Sequence, residues 1–201
     1  MGVSGIVLAG GMSRRLGRNK VVEPVGGEAM INRVIGRLSQ VAERTVVVVN
    51  DLERASLLSL PDSATAVVDI HPDKGSLGGI FTGLSAIEAE WGIVVASDMP
   101  FLNVELLAYM LSVREGFDAV VPRLDGRSEP THAAYSVSCL PCIERRVLAD
   151  DLKIDGFFSD IRVNAVPEDQ VEELDPERLS FFNVNTQQDL DRALDLVVQG
   201  H

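Results

Sequence analysis

Five short apolar runs constrain this chain more than any other feature: Gly5–Ala9, Thr45–Val49, Ala66–Asp69, Gly92–Ser97 and Asp118–Pro122. Each is rich in β-branched residues and bounded by Gly, Pro, Asp or Asn, as buried strands are. Between them lie stretches of helical period: Met30, Ile31, Val34, Ile35 and Leu38; then Leu52 to Leu58; then Ile80, Leu84 and Ile87; then Leu106, Leu107, Met110 and Leu111. The order is βαβαβαβαβ. Continuously apolar strands alternating with amphipathic helices predict an α/β fold with a mainly parallel sheet covered on both faces, a three-layer α/β/α arrangement. Right-handed crossovers make it doubly wound and Rossmann-like. Its ligand edge then lies beyond the C-termini of the strands.

The 201 residues suit one domain, residues 1–201, and 46% apolar content with only 5% aromatics predicts aliphatic core layers. After Pro122 the alternation loosens. "RLDGRSEPTHAAYSV" reads as a Gly-containing turn between two strands, and "RVNAV" and "SFFNVN" as further short strands. A last helix follows Thr186 as its cap, with Leu190, Leu194 and Val197 as its apolar stripe. The acidic stretch "PEDQVEELDPER" reads as a solvated surface segment.

Several function classes are disfavoured. Thirty acidic against 18 basic side chains, a formal charge of -12, argue against nucleic-acid binding while leaving room for a local anion pocket. No apolar run approaches the ~18–20 residues of a membrane span, and Met1 leads directly into strand-like sequence, so a cytoplasmic protein with no membrane contact is expected. Cys139 and Cys142 form a C-x-x-C, read here as packing thiols. A zinc site lacks ligands at suitable spacing, and the apolar helical period after the motif argues against a redox frame.

The positive charge that exists is concentrated. "LAGGMSRRLGRNK" places Arg14, Arg15, Arg18 and Lys20 just after a strand and a glycine pair. Gly10 and Gly11 would reach the ligand edge, where glycines let backbone N–H groups approach an anion. Arg15 and Lys20 then offer a fork and a point charge to phosphate oxygens, and Gly17 lets the loop fold back. The spacing is neither a Walker A motif nor G-x-G-x-x-G. A surface turn with solvated arginines is the alternative.

Asp69 ends "TAVVD" and Asp98 ends "GIVVASD", so both should emerge on the same edge. A carboxylate opposite a triphosphate is chemically sensible with Mg²⁺ between them, since that ion takes one or two carboxylates plus phosphate oxygens. The alternative is that each Asp merely forms a turn or caps a helix. In "HPDKGSLGGIFTGL", Gly75, Gly78 and Gly79 precede a helix; they either admit a ring or sugar close to the backbone or serve helix packing.

Together these motifs resemble the molybdenum cofactor guanylyltransferases, the MobA family of Rossmann-like nucleotidyltransferases. "LAGGMSRRLGRNK" is similar to the family's L-A-G-G-x-S-x-R-M-G-x-D-K, "GSLGG" to G-P-L-x-G, "SDMPFLN" to its metal-binding aspartate turn, and "FFNVNTQQDL" to F-x-N-x-N-T-x-x-D-L. The resemblance implies that Leu8, Ala9, Gly10 and Gly11 line the guanine nucleotide, that Arg15 and Lys20 hold its phosphates, and that Asp98 binds Mg²⁺. It implies nucleotide contacts from Asn50, Asp69, Gly75, Leu77 and Gly79, and acceptor contacts from Asn183 and Asn185. Residues 1–122 would be the nucleotide-binding core and 123–201 an acceptor-side elaboration. Asn19, Leu16 and Ser76 depart from the pattern where Asp, Met and Pro are usual, and Gly10 leans towards guanine over cytosine.

The implied reaction is transfer of GMP from GTP to the terminal phosphate of molybdopterin, with release of pyrophosphate and catalysis by Lys20, Arg15 and Asp98. A molybdenum-insertion protein and an acceptor molybdoenzyme are implied as partners. The rivals are cytidylyl transfer, nucleotidyl transfer to a sugar phosphate or phospholactate, and a GTP-binding regulator without turnover.

Overall fold

The central strand β1 (Val3–Leu8) shows how the layers are built. Side chains of a strand alternate between faces, and along β1 Ile6 packs into one buried apolar cluster while Val7 packs into another. The same alternation holds in β4 (Arg44–Val49) and β6 (Trp91–Ala96), with Val48 and Val94 on the Ile6 side and Val47 and Val95 on the Val7 side. Strands apolar on both faces need helices on both, as the sequence predicts. The computed structural model describes residues 2–11 and 22–201.

After β1 the described chain resumes in a small hairpin, β2 (Pro24–Val25) and β3 (Glu28–Ala29), and runs into α1 (Met30–Leu38). Then come β4, α2 (Leu52–Ser56), β5 (Ala64–Val68), α3 (Gly75–Ala86), β6, α4 (Val104–Ser112) and β7 (Ala119–Leu124). Next follow β8 (Arg127–Ser128), β9 (His132–Ser136), α5 (Leu140–Leu148), β10 (Val163–Val166), α6 (Glu168–Leu174) and α7 (Gln187–Val198). The main sheet runs β10-β7-β9-β6-β1-β4-β5, with β8 paired to β7. Helices α1, α4 and α6 contribute to the Val7-side cluster, and α3 and α5 to the Ile6-side cluster. The expected three-layer α/β/α arrangement is the one found.

Pairings β1–β4, β1–β6, β4–β5 and β7–β10 are parallel. Strand β9 runs antiparallel to both neighbours, β6 and β7, and joins the two parallel groups. The turn between strands expected in "RLDGRSEPTHAAYSV" is the β7–β8–β9 connection.

Four local expectations need correction. "SFFNVN" is not a strand: Leu179–Phe181 is a 3₁₀ turn followed by irregular chain. Its turn is held by Asp175, whose carboxylate accepts from the N–H groups of Leu179 (3.2 Å) and Ser180 (2.9 Å). Those bonds offer the backbone an alternative to a sheet ladder.

The acidic stretch is not wholly solvated either. It forms α6, with Val171 fully buried and Asp175 5% exposed, and Arg178 pairs with Glu168 and Glu172. In α7 the cap is Thr186, in a reciprocal capping box with Asp189, but the buried stripe is Leu190, Ala193 and Leu196. Leu194 is 40% exposed, because the docked face is turned by a fraction of a helical turn from the one expected. Finally, the C-x-x-C does follow strand β9 and open helix α5, with Cys142 in the helix's first turn, contrary to the frame expected. Cys139 nevertheless packs in the Ile6-side cluster and donates to the Asp118 carbonyl (3.2 Å), and burial pushes its thiol up to about 12.

Candidate active site

Because β1, β4, β5 and β6 are parallel, their C-terminal exits converge on one edge. Three backbone bonds beyond the strands fix those exits: Ala9 N–H to the Val48 carbonyl (2.8 Å), Asp69 N–H to Val49 (2.7 Å) and Ser97 N–H to Leu8 (3.1 Å). The cleft there encloses about 250 Å³. Leu8, Gly10, Gly11, Asn50, Asp69, Gly75, Gly79 and Asp98, all expected at the site from sequence, line it together.

Gly10 sits against Asn50. A Cβ on Gly10 would come within 2.2 Å of Asn50 Oδ1, so only glycine lets β1 turn beside this amide without a shift. Gly75 opens α3 at φ 58°, a left-handed conformation that side chains resist, and so sets the entry of the helix at the cleft wall.

Asp69 is 7% exposed and firmly held. Its Oδ1 accepts from the Thr82 hydroxyl on α3 (2.5 Å) and from the His71 N–H (2.9 Å), and the same Thr82 oxygen accepts from Ile70 N–H (3.1 Å). Its Oδ2 lies 3.9 Å from where a Cβ on Gly79 would sit. Asp98 is half-buried after β6, and its carbonyl accepts from the N–H of Val184 (2.9 Å). Asn183 and Asn185 flank Val184. The Asn183 amide donates to the Phe181 carbonyl (3.0 Å) and Asn185 N–H donates to Asp189 (3.0 Å); neither lines the cleft.

Two further expected residues sit behind the cleft. Ala9 continues the alternation of β1 and is buried in the Val7-side cluster, and Leu77 is buried in the Ile6-side cluster with Ile80 and Leu84, one stripe of α3. Arg15 and Lys20 lie outside the described residues, as do Arg14, Leu16, Gly17, Arg18 and Asn19.

Sequence reasoning missed several lining groups: Val48, Pro72, Ala96, Ser97 and Thr131. Thr131 carries no local signal. The register of β9 on β6, Val95 opposite His132, brings it beside Ala96. His132 itself is fully buried, with its ring 4.7 Å from that of Phe181. Neither ring nitrogen has a hydrogen-bond partner among the described residues, and burial pushes the imidazole down from 6.5 to about 4, so it is neutral at ordinary pH.

Among the described lining residues the charged ones are Asp69 and Asp98. An acidic cleft accepts an anion only if cations or backbone N–H groups stand between, the chemistry expected of a nucleotide-and-metal site.

Comparison with known proteins agrees. The family model described as MobA-like NTP transferase domain matches residues 5–170. The chain is 38% identical, over 94% of its length and 91% of the relative's, to the probable molybdenum cofactor guanylyltransferase of Pelotomaculum thermopropionicum. It is 34% identical to the molybdenum cofactor guanylyltransferase of Desulfosudis oleivorans, over 95% of its own length and 94% of the relative's. Among solved structures, the molybdopterin-guanine dinucleotide biosynthesis protein A of Archaeoglobus fulgidus superposes with a TM-score of 0.84 at 32% identity, covering 98% of this chain and 99% of that one. The glycine turn, the two carboxylates at the strand ends and these full-length similarities lead to one assignment: the chain is a nucleotidyltransferase and belongs to the molybdenum cofactor guanylyltransferases of the MobA-like NTP transferase family.

Proposed function

We propose that this protein transfers GMP from GTP to the terminal phosphate of molybdopterin, releasing pyrophosphate. The observation that carries the reading is the shared cleft, in which the Gly10–Gly11 turn and the carboxylates of Asp69 and Asp98 face one volume at the C-terminal edge of a parallel sheet. A phosphate oxygen of the acceptor attacks the α-phosphorus of GTP, the bond from that phosphorus to the bridging α–β oxygen breaks, and the electron pair leaves with pyrophosphate. An ionised phosphate needs no deprotonation, so no catalytic histidine is required. The buried, neutral His132 is consistent with that.

The residues present fit a divalent cation. No trio of His, Cys, Asp or Glu side chains converges among the described residues, so an ion here needs phosphate oxygens to complete its shell. Hard carboxylate oxygens plus phosphate are the donor set that Mg²⁺ takes. Asp98 would hold it, and the bound ion would neutralise charge on the phosphate oxygens. Asp69, locked by Thr82 and His71, positions the nucleotide, and Asn50 and Gly79 shape the wall beside it. Lys20 and Arg15 take their phosphate-holding roles from the motif alone. Asn183 and Asn185, either side of the residue bonded to Asp98, belong to the acceptor side. Residues 1–122 accordingly serve the nucleotide and 123–201 the acceptor.

No helix among the described residues is long and apolar enough to cross a membrane. We assign the protein to the cytoplasm, receiving molybdopterin and handing its product to a molybdenum-insertion protein or an acceptor molybdoenzyme. The test is pyrophosphate release with GTP, CTP and ATP as donors and molybdopterin as acceptor, with and without Mg²⁺. GTP with Mg²⁺ is expected to be required. Preference for CTP overturns the guanylyl assignment, and GTP binding without release overturns the transfer.

A further inference from the structure

Helix α2 is an anomaly in this fold, being five residues long with none of them buried. Leu52, at its start, is 77% exposed. Packing contributes little to the helical turn here, its one core contact being the partly buried Ala55 against the Val7-side cluster. What the turn does is place Arg54. Asp51 caps the helix by accepting from Arg54 N–H (2.8 Å), and its other oxygen lies 3.9 Å from Arg54 Nε. Arg54 Nη1 reaches back across the mouth of the sheet and donates to two consecutive carbonyls, Gly10 (3.3 Å) and Gly11 (3.1 Å).

Those two glycines line the nucleotide cleft and Arg54 does not. In a trans peptide the carbonyl and the following N–H point in opposite directions. Drawing the Gly10 carbonyl towards the guanidinium therefore turns the Gly11 N–H away from it. Two adjacent glycines are the most costly residues in a chain to hold in one conformation. A turn that must offer its amides to an anion gains affinity when it is ordered beforehand. The guanidinium also places a positive charge, partly offset by Asp51, beside the glycine turn that lines the cleft.

We propose that Arg54 is a positioning residue for the nucleotide, presetting the Gly10–Gly11 turn so that its backbone N–H groups meet the phosphates. The Asp51–Arg54 pair then laces the end of β4 to the end of β1, on either side of the Gly10–Asn50 contact. Like its catalytic context, this rests on GTP being the bound nucleotide.

The test is calorimetric titration of GTP with Mg²⁺ into wild type, Arg54→Ala and Arg54→Lys, alongside the amide NMR signal of Gly11. For Arg54→Ala the dissociation constant should rise roughly tenfold, the size of effect expected from one backbone residue left to be ordered on binding. The Gly11 amide should shift before any GTP is added. Arg54→Lys, which keeps a charged donor, should fall between the two, and free guanidinium should recover part of the affinity of Arg54→Ala. Wild-type affinity in Arg54→Ala overturns the proposal. So does a loss that guanidinium leaves untouched and that tracks only a lowered melting temperature. A wild type that does not bind GTP defeats the functional reading instead, so the two failures are distinct.

Discussion

At Asp69 the carboxylate itself is clamped, by a hydroxyl from the helix that follows and an N–H from the loop between them. At Asp98 the backbone carbonyl is held as well, by Val184, near the other end of the chain. The loop carrying Val184 is in turn held by a chain of contacts. Asp175 accepts from Leu179 and Ser180, the Ser180 hydroxyl accepts from Asn103 N–H (2.8 Å), and Phe181 lies against His132. One carboxylate is thus a locally completed acceptor, and the other is positioned by the C-terminal arm. Damage to the arm should reach Asp98 and spare Asp69.

The largest expected effect comes from Asp98→Asn, which should lower Mg²⁺-dependent turnover by about 10²- to 10³-fold with thermal unfolding unchanged. Near-normal turnover removes the metal role. Acid should then act on the arm through His132. The unfolded chain takes up this proton near pH 6.5, the folded one only near 4. Stability is therefore full above the higher value and is lost as pH falls towards the lower, by about 3 kcal/mol. Urea unfolding at about pH 7 and about pH 4 should show a drop smaller by that amount in His132→Leu. An equal drop in both proteins places the acid sensitivity elsewhere.

Thr82→Val keeps the volume and removes the hydroxyl that holds Asp69. It should weaken GTP binding about tenfold while leaving the dependence on Mg²⁺ concentration unchanged. A changed Mg²⁺ dependence means that the two carboxylates share one role. Asp175→Asn should have the smallest effect, a fall of about threefold in kcat with GTP affinity intact, because it loosens only the arm. Lost GTP affinity there would show that the arm reaches the nucleotide side too.

The parallel half of the fold was legible because its strands are apolar on both faces and its helices are amphipathic, so a local pattern carries the information. The edge that bears Gly10, Asp69 and Asp98 followed from strand direction, and Asn50 joined it only through the motif resemblance. The arm was less legible. "SFFNVN" has the composition of a strand, and what makes it a turn is a buried carboxylate several residues earlier. Thr131 enters the cleft only through a strand register that no local pattern encodes. Arg54 was invisible for a related reason: its partners are backbone carbonyls, present in every residue.

The placement of β9 bears on how the molecule is made. Each strand that pairs with β7 follows it in the chain, and β6 gains its second neighbour only when β9 arrives. On the ribosome, then, the nucleotide-side strands wait with an open edge until residues 132–136 have emerged. A fragment ending at 122 should consequently be insoluble or aggregate, rather than survive as a smaller nucleotide-binding module.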